Sequence, residues 1–475
     1  MDRRVRGLTM LMCAFLVLTF AIGGSARGDI LGNVLLWPVA FLAMGVGLSG
    51  LQREMIRPYR YLLGLVFGAV GLTLLQLVPL PPGLWSHLPG RGIVAEVGAV
   101  AGLGSAWRAV SLVPRETWGS LFAMAVPIAM LLLGMRAAGR LRILLPVMIA
   151  IGIVSGLIAL LQLLGPSDGP LYFYPITNAG AAVGLFANRN HQAVLLATMF
   201  PMLAAFASLR WHFAAPVFIK AMALIVATMM VPLIFITGSR LGLIVGGVGV
   251  VSTLLFYRPP VESVAGNQSS GGGASRVGGL RRRWLMASGL LAFAALLGTL
   301  SVLFDRGEAF QRIAGQGAGG DTRFESWGVI ARMVAHYFPF GTGAGTFVEA
   351  YQLHEPRALL TTSYLNHAHN DWLEVVLTHG APGAILLVCG VALFFVRTAQ
   401  VARAGLQATA EAALFARLGL VLVVQFAIAS GGDYPLRTPS LAAFFALAVL
   451  WAATPLLGNR DQDEAPVERR GPAEH

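Results

Sequence analysis

With 475 residues, 56% hydrophobic side chains, 12% charged ones and a mean hydropathy of +0.72, the chain carries about half the charge of a soluble domain, where about 25% of residues are charged. This composition excludes an ordinary soluble fold and implies a polytopic membrane protein. The net charge of +12 does not mark a nucleic-acid binder, because the basic residues stand in short clusters between apolar runs, the pattern of membrane orientation. Cys13 and Cys389 both lie inside apolar runs, which indicates neither a disulfide framework nor a cysteine metal site.

Twelve apolar runs are candidate spans, most near the roughly 20 residues that cross a bilayer. In chain order they are 8–24, 30–51, 61–80, 117–138, 141–164, 191–209, 216–236, 241–257, 285–304, 382–396, 412–430 and 440–457. The first could also be a cleaved signal peptide. Residues 93–105 are apolar but short and contain Glu96, which reads as loop. The expected fold is all-α, about twelve transmembrane helices with a large outer loop of short amphipathic helices. It divides into helices one to five (1–164), a catalytic membrane region (165–457) that includes the loop 305–381, and a tail (458–475).

A cytoplasmic N-terminus puts residues 1–7, 52–60, 136–142, 210–220, 258–284, 397–417 and 458–475 inside, and these hold 22 of the 34 basic residues. That bias satisfies the positive-inside rule. Residues 261–279, rich in Gly and Ser and followed by Arg281, Arg282 and Arg283, read as a flexible inner linker. The outer face receives the longer loops, 81–116 and 305–381, where a membrane protein can build a site.

The polar motifs also gather on that outer face. Asn188-Arg189-Asn190-His191 precedes span six, Thr237-Gly238-Ser239-Arg240 precedes span eight, and Asp433-Tyr434-Pro435-Leu436-Arg437 follows span eleven. In the long loop, Thr322-Arg323-Phe324-Glu325 has the spacing of a capping box. Its helix presents Phe324, Trp327, Ala331, Val334 and Phe338 on one face, as if lying on the membrane surface. Gly341-Thr342-Gly343-Ala344-Gly345 lacks the ending of a phosphate loop and reads as a flexible turn.

The richest stretch is His367-Ala368-His369-Asn370-Asp371-Trp372. Asn370 suits a helix N-cap, Asp371 and Glu374 its first turn, and Gly380 with Pro382 its stop. His369 then sits beside the positive end of a helix dipole, which favours an anion nearby and a neutral imidazole, and a neutral imidazole can act as a general base. Capping a surface loop is the plainer role for these histidines. Arg189, Arg240 and Arg323 each stand at a helix start, where the dipole opposes a cation by about 0.3–1 kcal/mol. Guanidinium forks there suit phosphate oxygens, although pairing with carboxylates or lipid headgroups would also account for them. No zinc-binding helix motif accompanies His354, His367, His369 and Asp371, and the reading includes no metal and no cofactor.

With these residues in order, residues 165–450 resemble the O-antigen ligase and O-antigen polymerase superfamily of bacterial inner-membrane glycosyltransferases. The matching pieces are Asn188 to His191, Ser239-Arg240, Arg323 with Trp327, Pro339 to Gly343, His369 to Glu374 and Asp433 to Arg437. The resemblance implies a glycan donor on undecaprenyl diphosphate at the periplasmic face. It implies a glycan, lipid A-core or other hydroxyl acceptor, and inversion at the anomeric carbon without a metal. By motif position it implies His369 as catalytic residue and Arg240 and Arg323 as diphosphate ligands, with Arg189 as an addition and Asn188, His191, His367, Asn370, Asp371, Asp433 and Arg437 in support. It does not separate ligase from polymerase. Twelve spans also suit a transporter, but ion-coupled carriers need ionisable groups deep in their spans, and here only Lys220 and Arg417 come near, each close to a span end.

Overall fold

The computed structural model describes residues 3–28, 30–137, 141–256, 322–360, 364–404 and 410–456. The ninth apolar run, the 261–279 linker and the C-terminal tail lie outside the described residues. Among the described ones the structure is all-α apart from one two-stranded ribbon, with eight helices long and apolar enough to cross a membrane and three shorter apolar ones.

In chain order the helices are α1 (Arg3–Ile22), α2 (Leu31–Leu48), α3 (Arg60–Leu75), α4 (Gly92–Val100), α5 (Pro114–Ala123), α6 (Ala125–Arg136), α7 (Leu144–Leu164), α8 (Arg189–Ser208), α9 (Pro216–Ile236) and α10 (Arg240–Phe256). There follow α11 (Thr322–Tyr337), α12 (Phe347–Gln352), α13 (Asp371–Ala404), α14 (Ala410–Ser430) and α15 (Pro439–Ala452). Each of the other eleven expected runs therefore coincides with helix, the fourth being α5 and α6 end to end. Residues 93–105 differ from expectation: α4 occupies most of them, too short to cross, because Ala and Val carry a helix between the glycines at 92 and 102.

Apolar on all sides, α8 is buried along nearly its whole length, as expected of a helix enclosed by other helices. Lipid offers no hydrophobic drive between helices, so small residues permit the close approaches. A Cβ on Gly242 of α10 would fall 2.3 Å from Ala193 of α8, and one on Gly419 of α14 would fall 2.1 Å from the backbone of α15. Gln425 of α14, fully buried, donates to the Ala197 carbonyl of α8 (3.0 Å) and the Val245 carbonyl of α10 (3.2 Å), tying three helices inside the apolar core.

The outer layer rests on this bundle. Strands β1 (Pro79–Leu80) and β2 (Arg108–Ala109) pair antiparallel. Arg91 is wholly buried beside them and donates to the carbonyls of Val110 (2.6 Å) and Gly341 (2.9 Å). Burial lowers its pKa to about 10, so it remains a cation at neutral pH. The glycines at 341, 343 and 345 all have positive φ and are packed rather than flexible. A Cβ on Gly341 would fall 2.6 Å from the Thr378 carbonyl, and Gln76 Oε1 accepts the Ala344 N–H at 2.8 Å. On α11 the side opposite the expected outward face is the packed one. Val329, Ile330, Met333 and Tyr337 are buried against Phe347, Tyr351, Ala368 and Leu377, while Ala331 and Phe338 are exposed, because α12 and α13 give the helix a protein surface to pack on.

Candidate active site

The site begins at the start of α13. Asn370 caps it, its Oδ1 accepting the Leu373 N–H at 3.0 Å, as the sequence predicted. Gly380 interrupts the helix where the sequence placed a stop. Its φ of 62° and ψ of −146° break the helical run, which resumes as a long apolar segment to Ala404. The histidine-bearing stretch is thus joined directly to a span through a kink.

Asp371 and Glu374, both buried, face Arg437 from the turn after α14. Arg437 Nε donates to Asp371 Oδ1 at 3.1 Å, and its Nη2 lies 3.5 Å from Glu374 Oε1. Ser430 donates to the other Asp371 oxygen at 3.0 Å. Burial pulls the Arg437 pKa down, but the Glu374 and Asp371 carboxylates outweigh it and leave the guanidinium held above its ordinary value. Arg437 and Asp371 therefore form a brace between α13 and α14.

Glu374 also reaches backwards. Its Oε1 accepts from His367 Nδ1 at 3.0 Å and its Oε2 from the Ala368 N–H at 2.9 Å. His369, 8% exposed, adopts φ +49°, and its Nδ1 lies 3.0 Å from the His367 carbonyl. A carbonyl can only accept, so Nδ1 is the donor here, and in a neutral ring Nε2 would be the basic nitrogen.

Tyr434 is the hub that unites the remaining motifs. Its ring lies 4.4 Å from that of His367, 4.9 Å from that of His369 and 5.1 Å from that of His191, and its hydroxyl accepts from Asn366 (3.3 Å) and Asn188 (3.4 Å). Beside it, fully buried Asp433 accepts from Asn190 and from Asn188 (3.4 Å), and lies 4.0 Å from His191 Nε2. Asn188 caps α8 by accepting the Asn190 N–H at 2.9 Å. The structure thus gathers Asn188, His191, His367, His369 and Asp433 around one aromatic ring. Tyr434 and Glu374 were missed as site residues. Their presence in the motifs was the available signal, but a tyrosine and an apparent first-turn glutamate declare no role until their neighbours are known.

The three arginine positions fall at helix starts. Arg189 begins α8 and Arg240 begins α10, where Ser239 Oγ caps the helix by accepting the Gly242 N–H at 2.9 Å. The next residue, Leu241, meets Gly432, beside Asp433. Position 323 lies in the first turn of α11, and the Arg323 side chain lies outside the described residues. Below the site a cavity of about 2010 Å³ runs past His367, Asp371, Trp372 and Arg437 between α3, α13, α14 and α15, to Arg57, Arg60 and Arg397 at the opposite end of the helices. Among the described residues no group of three His, Cys, Asp or Glu side chains is placed to hold a metal ion.

This architecture is that of an all-α polytopic membrane protein with a polar centre where α8, α13 and the turn after α14 converge. Residues 225–388, from α9 into α13, match the family model described as O-antigen ligase, which supports the O-antigen ligase superfamily for this region. The membrane glycosyltransferase class follows at the level of the family. No curated protein matches the chain.

Proposed function

We propose that the protein transfers a glycan from undecaprenyl diphosphate to a hydroxyl acceptor at the periplasmic face of the bacterial inner membrane, with both chain termini in the cytoplasm. The observation that carries this reading is the placement of His369: buried beside the start of α13 within the matched domain, with its Nδ1 3.0 Å from the His367 carbonyl. The acceptor hydroxyl attacks the anomeric carbon as the bond to the diphosphate oxygen breaks. His369 takes the hydroxyl proton, and undecaprenyl diphosphate leaves with the bonding electrons. Arg240 and Arg323, with Arg189 in addition, stabilise the charge developing on that diphosphate. The donor is already activated, so no nucleotide, metal or other cofactor takes part in the scheme. Membrane lipids solvate the spans, and the acceptor is a glycan, a lipid A-core or another hydroxyl compound.

The test is His369→Ala in purified protein. General-base removal costs about 10²–10⁴-fold, so turnover should fall by that amount while binding of undecaprenyl diphosphate persists. A stable variant that still transfers at the parental rate would overturn the assignment. A transporter would give no donor turnover in detergent at all.

A further inference from the structure

His369 is the one non-glycine among the described residues with φ in the left-handed region. Side chains with a Cβ are disfavoured there, and such a conformation persists only where surrounding groups enforce it. The Asn370 cap acts on the helix that follows. The peptide before His369 is held by two side chains from different elements: the Ala368 N–H goes to Glu374 Oε2 at 2.9 Å, and the Ala368 carbonyl accepts from Trp327 Nε1, also at 2.9 Å. Ala368 itself is 1% exposed and Glu374 1% exposed, so water does not replace the bond between them. Glu374 further fixes His367 through Nδ1, and the His367 carbonyl in turn orients the His369 ring.

We infer that Glu374 and Trp327 are positioning residues that clamp the Ala368 peptide and thereby set the place and direction of the His369 imidazole. This rests on the proposed role of His369. Trp327 comes from α11, one turn after Arg323. The Trp327 bond therefore fixes the distance between the helix that carries a diphosphate arginine and the loop that carries the base. A local cap could hold the loop by itself, but it could not hold it in register with α11.

The experiment measures release of undecaprenyl diphosphate from lipid-linked glycan extracted from the host, with the host's membrane lipid fraction as acceptor, for the full-length protein in detergent. Misplacing a catalytic group by about 1 Å can cost about 10²-fold. Glu374→Ala should therefore lower kcat by about that factor and leave the donor KM within about twofold. Glu374→Gln keeps an oxygen for the Ala368 N–H and should restore most of the rate. Trp327→Phe keeps the ring and loses the N–H, and should lower kcat several-fold with unchanged donor KM and an unchanged Tm. That variant decides the matter where Glu374→Ala does not fold. Parental kcat in Trp327→Phe would overturn the clamp, as would kcat, donor affinity and Tm falling together in that variant. His369→Ala is the control. If it releases product as fast as the parent, the functional reading fails and the clamp with it. If His369→Ala is inactive while the clamp variants are unaffected, only the clamp fails.

Discussion

At the scale of single residues, burial determines which of the polar motifs act as braces. Asp371 and Glu374 are buried and Arg437 is 21% exposed, so removing the arginine leaves two buried carboxylates without compensation. Arg437→Ala should therefore destabilise the protein by about 3–5 kcal/mol. Arg437→Lys should recover only part of that, because one ammonium cannot span both Asp371 and Glu374 as the guanidinium fork does. Thermal unfolding in detergent checks both, and an Arg437→Ala protein with parental Tm would contradict the brace. Arg189 and Arg240, at helix starts, should behave differently on replacement by Ala, costing turnover more than stability.

At the scale of elements, the kink and the outer layer depend on each other. A Cβ on Gly380 would fall 1.9 Å from the Pro339 carbonyl, at a φ that L side chains rarely adopt. Gly380→Ala should therefore cost at least about 1–3 kcal/mol and disturb the glycine-rich loop, with increased protease sensitivity near residue 341 as the readout. The outer layer should also respond to acid. His354 Nε2 pairs with the Tyr337 hydroxyl at 2.9 Å, His336 faces the same ring, and Arg91 lies over Tyr337. Burial, and then the neighbouring His336, lower the His354 pKa. A histidine depressed in the folded state contributes stability that is complete above its unfolded pKa of about 6.5 and is lost as pH falls through the lower folded value. Hydrogen-exchange protection across α11 and α12, corrected for the intrinsic pH dependence of exchange, should fall below about pH 6.5, and His354→Gln should flatten that dependence.

At the scale of the whole molecule, topology governs which compartment sees the site. The outer loop holding Arg357 and the short turn holding Arg210 are both exposed, and the charge bias assigns them to opposite sides. In a variant lacking Cys13 and Cys389, Arg357→Cys should react with an impermeant thiol reagent in intact spheroplasts. Arg210→Cys should react only after lysis. The reverse pattern would invert the orientation and place His369 in the cytoplasm, where the proposed donor chemistry could not be periplasmic.

The spans were legible in the sequence because a bilayer demands that backbone polar groups be satisfied within each helix, which makes length and hydropathy sufficient to locate them. The Asn370 cap was legible for the same local reason, since Asn370 and Leu373 are three residues apart. Nothing local brings Tyr434 to His191, His367 and His369, or the Trp327 N–H to the Ala368 carbonyl. These contacts join residues far apart in the chain, and only the packing of α8, α11, α13 and α14 creates them. The packed glycine loop was misread because flexibility depends on what lies opposite. The sequence by itself determined a membrane bundle and the motifs available for chemistry. The tertiary structure decided which of those side chains meet, because burial and hydrogen-bond geometry arise only between elements.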